Sequence, residues 1–235
     1  MTRVHTVNDD QGLVDVLPLL FGFMPKDSLA MIEMKGPRMH FRARVDLGYP
    51  DATLQAVEAM QAQEPEAVLL IAVGEPEAAA AALDHALMLL GDVVIKMVAA
   101  PNQEVPSGEI MDYADELGKN EVFQTREALE AAWTHIGGDI PEVTVEERDE
   151  MFASMLQAEK VDAVMWQEQA RRCEVPSAHL YVLAAVAHYL NGDGAKANMG
   201  IEKARAIEAD HTMANLIAQV LLAGITPEQF RAIGA

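Results

Sequence analysis

Cysteine occurs once, at Cys173, so no intramolecular disulfide and no multi-cysteine metal site can form. Aromatic residues are only 5% of a sequence that is 51% hydrophobic, while methionine is frequent at 14. The core is therefore expected to be aliphatic and adaptable, built from Ala, Leu, Val and Met. Basic residues are scarce too: 17 against 37 acidic ones, a net charge of −20. That balance disfavours direct binding to nucleic-acid phosphate or to an anionic membrane, since both reward a positive surface. The plainest consequence of the charge is solubility; a sharper one is a surface that mimics nucleic acid or engages a basic partner. No apolar run is long enough to span a bilayer and no charged-then-apolar leader opens the sequence, so the expected compartment is the cytoplasm.

Catalytic signatures are missing as well. There is no G-x-x-x-x-G-K loop, no G-x-G-x-x-G after a strand, no nucleophile elbow and no H-E-x-x-H. The seven histidines are scattered, and His179, His188 and His211 fall in helical stretches as surface or core-edge residues. Neither a metal nor a cofactor is expected, and no catalytic residue can be named.

What the chain does offer is a hairpin, Ser28 to Leu47. Its second strand alternates: Met39, Phe41, Ala43, Val45 and Leu47 point one way, Arg38, His40, Arg42, Arg44 and Asp46 the other. Gly36-Pro37 suits a two-residue turn, Gly accepting positive φ and Pro fixing φ near −65°. The resulting register sets Met34 opposite Met39, Ile32 opposite Phe41 and Ala30 opposite Ala43, which makes one face apolar on both strands. On the other face Arg42 and Arg44 with Asp46 form the densest cationic group in an acidic protein. Guanidinium groups bind planar oxyanions in pairs, so these residues, joined by Arg126 if later helices fold over the sheet, are the candidate ligand-binding site. The competing expectation is that the arginines pair with Asp and Glu of neighbouring helices. Ser28 has no evident His and acid partner that would make it a nucleophile.

Along the chain, Val4–Val7 can add a short strand, and Leu13, Val16, Leu17 and Leu20 share one helical face that Pro18 interrupts. After the hairpin, Asp51 is the expected N-cap of a helix to about Gln63, with Leu54, Val57 and Met60 inward. Residues 67–73 are apolar without alternation, as in a strand covered on both faces. A helix over 76–90 and a second apolar strand over 92–98 follow. Helices between apolar strands imply right-handed crossovers, so the first part reads as an α/β domain with a mixed, mainly parallel sheet and one antiparallel hairpin, flanked by helices. Residues 99–121, punctuated by Pro and Gly, are the least readable, with a short strand conceivable at 109–114.

From Thr125 the chain is helical. A helix to about Ile136 is followed by a capping box at Thr144–Glu147 that opens a long helix to about Cys173, striped by Phe152, Met155, Leu156, Val161, Val164 and Met165. Further helices read as 176–190, 195–209, 212–223 and from Pro227. The small residues Ala184, Ala187, Ala197, Ala204 and Ala206 suggest tetratricopeptide-type helix hairpins, though barely one unit of them. The expected division is an α/β domain over 1–121 and an all-helical domain over 122–235.

Three stretches carry a resemblance. Leu17-Pro-Leu-Leu-Phe-Gly-Phe-Met-Pro-Lys-Asp-Ser-Leu29, Arg44-Val-Asp-Leu47 and the segment from His179 to Ala223 are similar, in this order, to motifs of the DUF4192 family, found mainly in actinobacteria and their phages. Thr125-Arg126-Glu127-Ala-Leu129 resembles an element between the two halves. The family's middle segment often bears Trp and Cys; residues 99–121 contain neither. The resemblance implies no reaction. Three readings stay open: a non-enzymatic interaction protein acting by self-association or through protein partners, an enzyme binding a nucleotide or other small anion on the arginine face, and an acidic nucleic-acid mimic.

Overall fold

Leu29-Ala30-Met31-Ile32 has no polar side, and the fold answers by placing that strand inside a sheet. The computed structural model describes residues 9–36, 38–106 and 122–233. Contacts divide the chain into two units, Met1–Arg126 and Glu127–Ala235. In the first, helices α1 (Asp10–Asp15) and α2 (Leu17–Phe21) precede strands β1 (Ser28–Lys35) and β2 (Arg38–Asp46). Helix α3 (Pro50–Gln61), strand β3 (Ala67–Val73), helix α4 (Pro76–Leu90) and strand β4 (Val94–Ala100) complete it. The short strands suggested at 4–7 and 109–114 lie outside the described residues.

The sheet order is β2-β1-β3-β4, with β1 antiparallel to both neighbours and only β3 and β4 parallel. The sheet is thus mostly antiparallel rather than mainly parallel. β2, β3 and β4 do run the same way, as helical crossovers demand. The difference is that β1, apolar on both faces, is inserted between β2 and β3 and pairs with each in the opposite sense.

The hairpin register also departs from expectation. Lys35 faces Arg38 and Met34 faces Met39 across the turn, where Gly36 has φ +57°. Beyond that the ladder slips: Ile32 pairs with Arg42, Ala30 with Arg44, Met31 with Ala43 and Leu29 with Val45. Two residues of β1 span three of β2, a bulge that moves β2 by one position and exchanges its faces relative to β1. Leu29 and Met31, not Ala30 and Ile32, therefore join Ala43 and Val45 in the main core. Met39, expected inside, is 47% exposed. Because β1 is apolar at every position from Leu29 to Ile32, its pattern could not choose between the two registers.

That core face meets α3 and α4 through Val57, Met60, Ala79, Leu83, Ala86 and Leu90. Helix α3 starts at Pro50 with Tyr49 as its N-cap, so Asp51 sits in the first turn, and Leu54 is exposed while Thr53 is buried. On the opposite face Ala30, Ile32, Ile71 and Val73 are buried. Asp10 of α1 pairs with Lys96 of β4 at 2.6 Å, and Phe23 lies under the Arg44 guanidinium of β2. The N-terminal segment thus crosses this face between the two outer strands. The expected helix over 10–21 is broken at Val16, between α1 and α2, with Pro18 in the first turn of the second.

The C-terminal unit contains α5 (Arg126–Ala131, which begins at the boundary), α6 (Val145–Gln157), α7 (Ala163–Arg171) and α8 (Ala178–Leu190). Helices α9 (Gly194–Ile207), α10 (Thr212–Leu222) and α11 (Pro227–Ile233) follow. The expected single helix from Thr144 to Cys173 is two helices. Asp162 restarts the chain by accepting the Met165 N–H, and Val164 is 73% exposed instead of lying on an inner stripe. The ends of α6 are both held. Thr144 and Glu147 form the expected capping box, and Arg231 donates to the carbonyls of Met155, Leu156 and Ala158.

Helix α8 is the centre of this unit. Every residue from Leu180 to Leu190 is buried, and α6, α7, α9 and α10 all touch it. A helix apolar on all sides requires such enclosure. Trp133 is fully buried beside it, its ring 6.3 Å from Tyr181 and 5.4 Å from His188. Gly200 makes room for this arrangement: a Cβ there would stand 2.8 Å from the Ala185 Cβ and 2.9 Å from the Trp133 ring. Helix propensity favours Ala over Gly by about 1 kcal/mol, but overpacking costs about 1–3 kcal/mol. The steric cost wins here, because Ala185 belongs to an enclosed helix. Gly200→Ala is expected to lower the urea unfolding midpoint of the C-terminal unit; a raised midpoint would show that the two helices can separate at little cost.

Candidate functional site

Arg42, Arg44 and Asp46 lie on one face of β2, as alternation requires, opposite Ile32, Ala30 and Ser28. The side chains of Arg38 and His40 are outside the described residues. Arg44 is largely enclosed and well occupied. It donates to Ser28 Oγ (2.7 Å), is in direct ionic contact with Asp46, and its guanidinium stands 5.5 Å from the centre of the Phe23 ring. Ser28 is itself buried and donates to the Lys26 carbonyl at 2.7 Å, so its hydroxyl serves the hairpin entry and not nucleophilic attack. The partner of Arg44 is the in-strand neighbour Asp46 rather than an acid from a helix. Arg42 is half-buried. Arg126 opens α5, three residues beyond Phe123, whose backbone bridges to Phe23.

The strand ends near Asp46 and Gly74 form a clasp. Asp27, at φ +45°, receives the Asn102 amide on Oδ1 (2.9 Å) and donates its own N–H to Asn102 Oδ1 (3.0 Å). Its carbonyl takes the Leu47 N–H at 2.7 Å. Gly74, which follows β3 at φ +154°, would take a side chain only with strain: a Cβ would fall 2.7 Å from Leu47 Cδ1 and 3.2 Å from the Asp27 Cα. After it, the Glu75 carboxylate caps α4 by accepting the N–H groups of Glu77 and Ala78. The position where a helix N-terminus would attract a phosphate is therefore filled by a carboxylate of the chain itself. Among the described residues no group of three or more His, Cys, Asp and Glu is placed to hold a metal, and no helix is long and apolar enough to cross a membrane.

The two outer strands differ in how they meet solvent. β2 carries a bulge and arginines, both of which discourage pairing with another strand. β4 carries neither. Ile95 is 62% exposed and Met97 41%, and Met88 of the adjoining α4 is 77% exposed. Among the described residues no strand pairs with the outer side of β4. The sequence marks this stretch only as a second apolar strand; the alternation Ile95-Lys96-Met97 was the one sign that it borders the sheet.

The histidines expected at the surface or core edge are brought by the C-terminal unit into two contacts, with His188 and His211 themselves buried. Gln167 Nε2 donates to the Ala132 carbonyl (3.0 Å), so its Oε1 must accept, and His188 Nε2 (2.9 Å away) carries the proton. Burial lowers the His188 pKa to about 4. His211 caps α10, its Nδ1 accepting the Ala214 N–H; its proton is therefore on Nε2 and points at His179 Nδ1, 2.8 Å away. His179 Nδ1 is the acceptor of that bond. Burial lowers the His211 pKa as well.

These shifts fix the sign of a pH dependence. Both groups bind protons more readily in the unfolded chain, so their contribution is complete above the ordinary histidine pKa of about 6.5 and is lost as pH falls below it, for His188 towards about 4. For His188 the loss is on the order of 3 kcal/mol. The unfolding free energy of the C-terminal unit should fall across that range, and His188→Gln should flatten the slope while costing stability at pH 7.5. Arg44→Ala should destabilise the N-terminal unit by about 1–3 kcal/mol in urea melts, with Arg44→Lys restoring only part. An arginine serving only a ligand would leave the midpoint unchanged.

No curated protein and no solved structure matches the chain. One family model does, that of a domain of unknown function (DUF4192), over residues 11–109 and 119–228. The interval between those segments falls within residues 99–121, the least readable stretch of the sequence. With nearly the whole chain covered, from α1 to the start of α11, the protein belongs to the DUF4192 family.

Proposed function

We propose that this is a non-enzymatic interaction protein that works by self-association, and that β4 is the contact. The reading is supported above all by the exposure of Ile95 and Met97 on an outer strand, next to Met88. An outer strand has a row of N–H and C=O groups that another strand can pair with, and two copies of one strand are self-complementary across a twofold axis. Joining through β4 would extend four strands to eight. In this reading the helical unit, with the packed pair α8–α9 as a tetratricopeptide-like hairpin, is the part presented to partners, in a cytoplasmic setting.

The alternative, an enzyme holding a nucleotide or other anion with Arg42, Arg44, Asp46 and Arg126, draws on the same strand face. Two observations weigh against it. Arg44 already serves Ser28, Asp46 and Phe23, and the Glu75 carboxylate already occupies the N-terminus of α4. An incoming phosphate would have to displace a like charge.

Light scattering on the full chain should give twice the monomer mass. The double variant Ile95→Lys, Met97→Lys should give the monomer mass with an unchanged circular dichroism spectrum. A wild-type monomer at all concentrations would remove the proposal, as would a dimer indifferent to both substitutions.

A further inference from the structure

The C-terminal unit contains a second feature, independent of β4, that points to a partner of a particular kind. One side of α6 borders a cleft of about 400 Å³. Its apolar lining includes Met151, Trp166 and the buried Met155, and its charged lining Glu147, Glu150 and Asp162 against a single base, Lys160. Glu147, Glu150, Met151, Met155 and Ala158 follow the i, i+3, i+4, i+8, i+11 spacing of one helix face. At 1.5 Å per residue that row is roughly 16 Å long, the length of three helical turns. The cleft is thus an open trough shaped along a helix rather than a closed chamber for a compact metabolite.

Its platform is held in place before anything binds. The capping box fixes the start of α6 and Arg231 ties down the carbonyls at its end. A docking surface with fixed ends loses little freedom on binding, which favours affinity. Its chemistry is equally defined. Three carboxylates against one ammonium repel nucleic acid and anionic lipid and attract a base. Bonds from the backbone and hydroxyl of Thr144 hold the Glu147 carboxyl below its usual pKa. The methionines adapt to varied apolar side chains, and Trp166 offers a face to a lysine or arginine stem.

We propose that this cleft is the docking groove for a basic amphipathic helix of a partner protein, its apolar row on Met151 and Trp166 and its cationic row against Glu147, Glu150 and Asp162. Amphipathic helices are bound in this way wherever an apolar trough is bordered by charge of the opposite sign.

The test uses the full chain and three synthetic peptides of about fourteen residues, about four helical turns. One is a Leu/Lys amphipathic helix, one its Leu/Glu counterpart, and one a Gly/Lys peptide of equal charge with no apolar face. Of the two tryptophans, Trp133 is fully buried and Trp166 lines the cleft, so intrinsic fluorescence reports on the groove. The Leu/Lys peptide should bind and shift the emission, with Trp166→Phe abolishing the shift, and the other two should not. Glu150→Lys should weaken binding about tenfold or more, while the charge-matched Asp84→Lys on exposed α4 should change it by less than about twofold. Equal weakening by both substitutions would reduce the effect to net charge and overturn the proposal. So would equal binding of the Gly/Lys peptide, or no binding of the Leu/Lys peptide.

Discussion

Both units depend on one constraint: an element without a polar side must be covered on every side. In the N-terminal unit the element is β1, hydrogen-bonded along both edges and buried from Ser28 to Glu33. In the C-terminal unit it is α8, buried from Leu180 to Leu190. Each fully enclosed side chain of Val, Leu or Ile size contributes about 1.5–3 kcal/mol relative to exposure, so the sum over either element decides what its neighbours must do. The sheet order, the antiparallel insertion of β1 and the ring of helices round α8 are consequences of that demand.

The same constraint explains why the polar groups that might suggest chemistry turn out to be structural. Ser28 and Arg44 are drawn to the sheet by β1 and satisfy one another there. His188, Gln167 and the Ala132 carbonyl form a short polar chain beside α8, because donors and acceptors enclosed with it must be paired. The Asp27–Asn102 clasp closes the end of the sheet, with Asp27 held at positive φ by reciprocal bonds. What remains for interaction lies on the outside, at the exposed apolar strand β4 and along the acidic flank of α6.

Much of the fold was legible. Strand β3, helix α4, the capping box of α6 and the turn before α9 follow from apolar runs, prolines and capping residues whose effects are local. The boundary errors have local causes too. A restart at Asp162 is a short-range capping event hidden inside a continuous helical pattern, and the break at Val16 precedes the proline that was expected to cause it. The arginine face was legible as a strand face; that Asp46, two residues along, serves as the partner of Arg44 required knowing that both project over Ser28.

By itself the sequence determined the α/β and helical halves, the members of the hairpin, the absence of disulfide chemistry and the likeness to the DUF4192 family. These rest on periodicity, composition and motif order, which are properties of neighbouring residues. Only tertiary structure decided which face of β2 joins the core, which strand is left outside, and which histidines meet. The reason is that a bulge of one residue reverses every side chain beyond it. A strand apolar on both faces cannot indicate its register, and pairs such as His179 with His211 are made by packing rather than by adjacency.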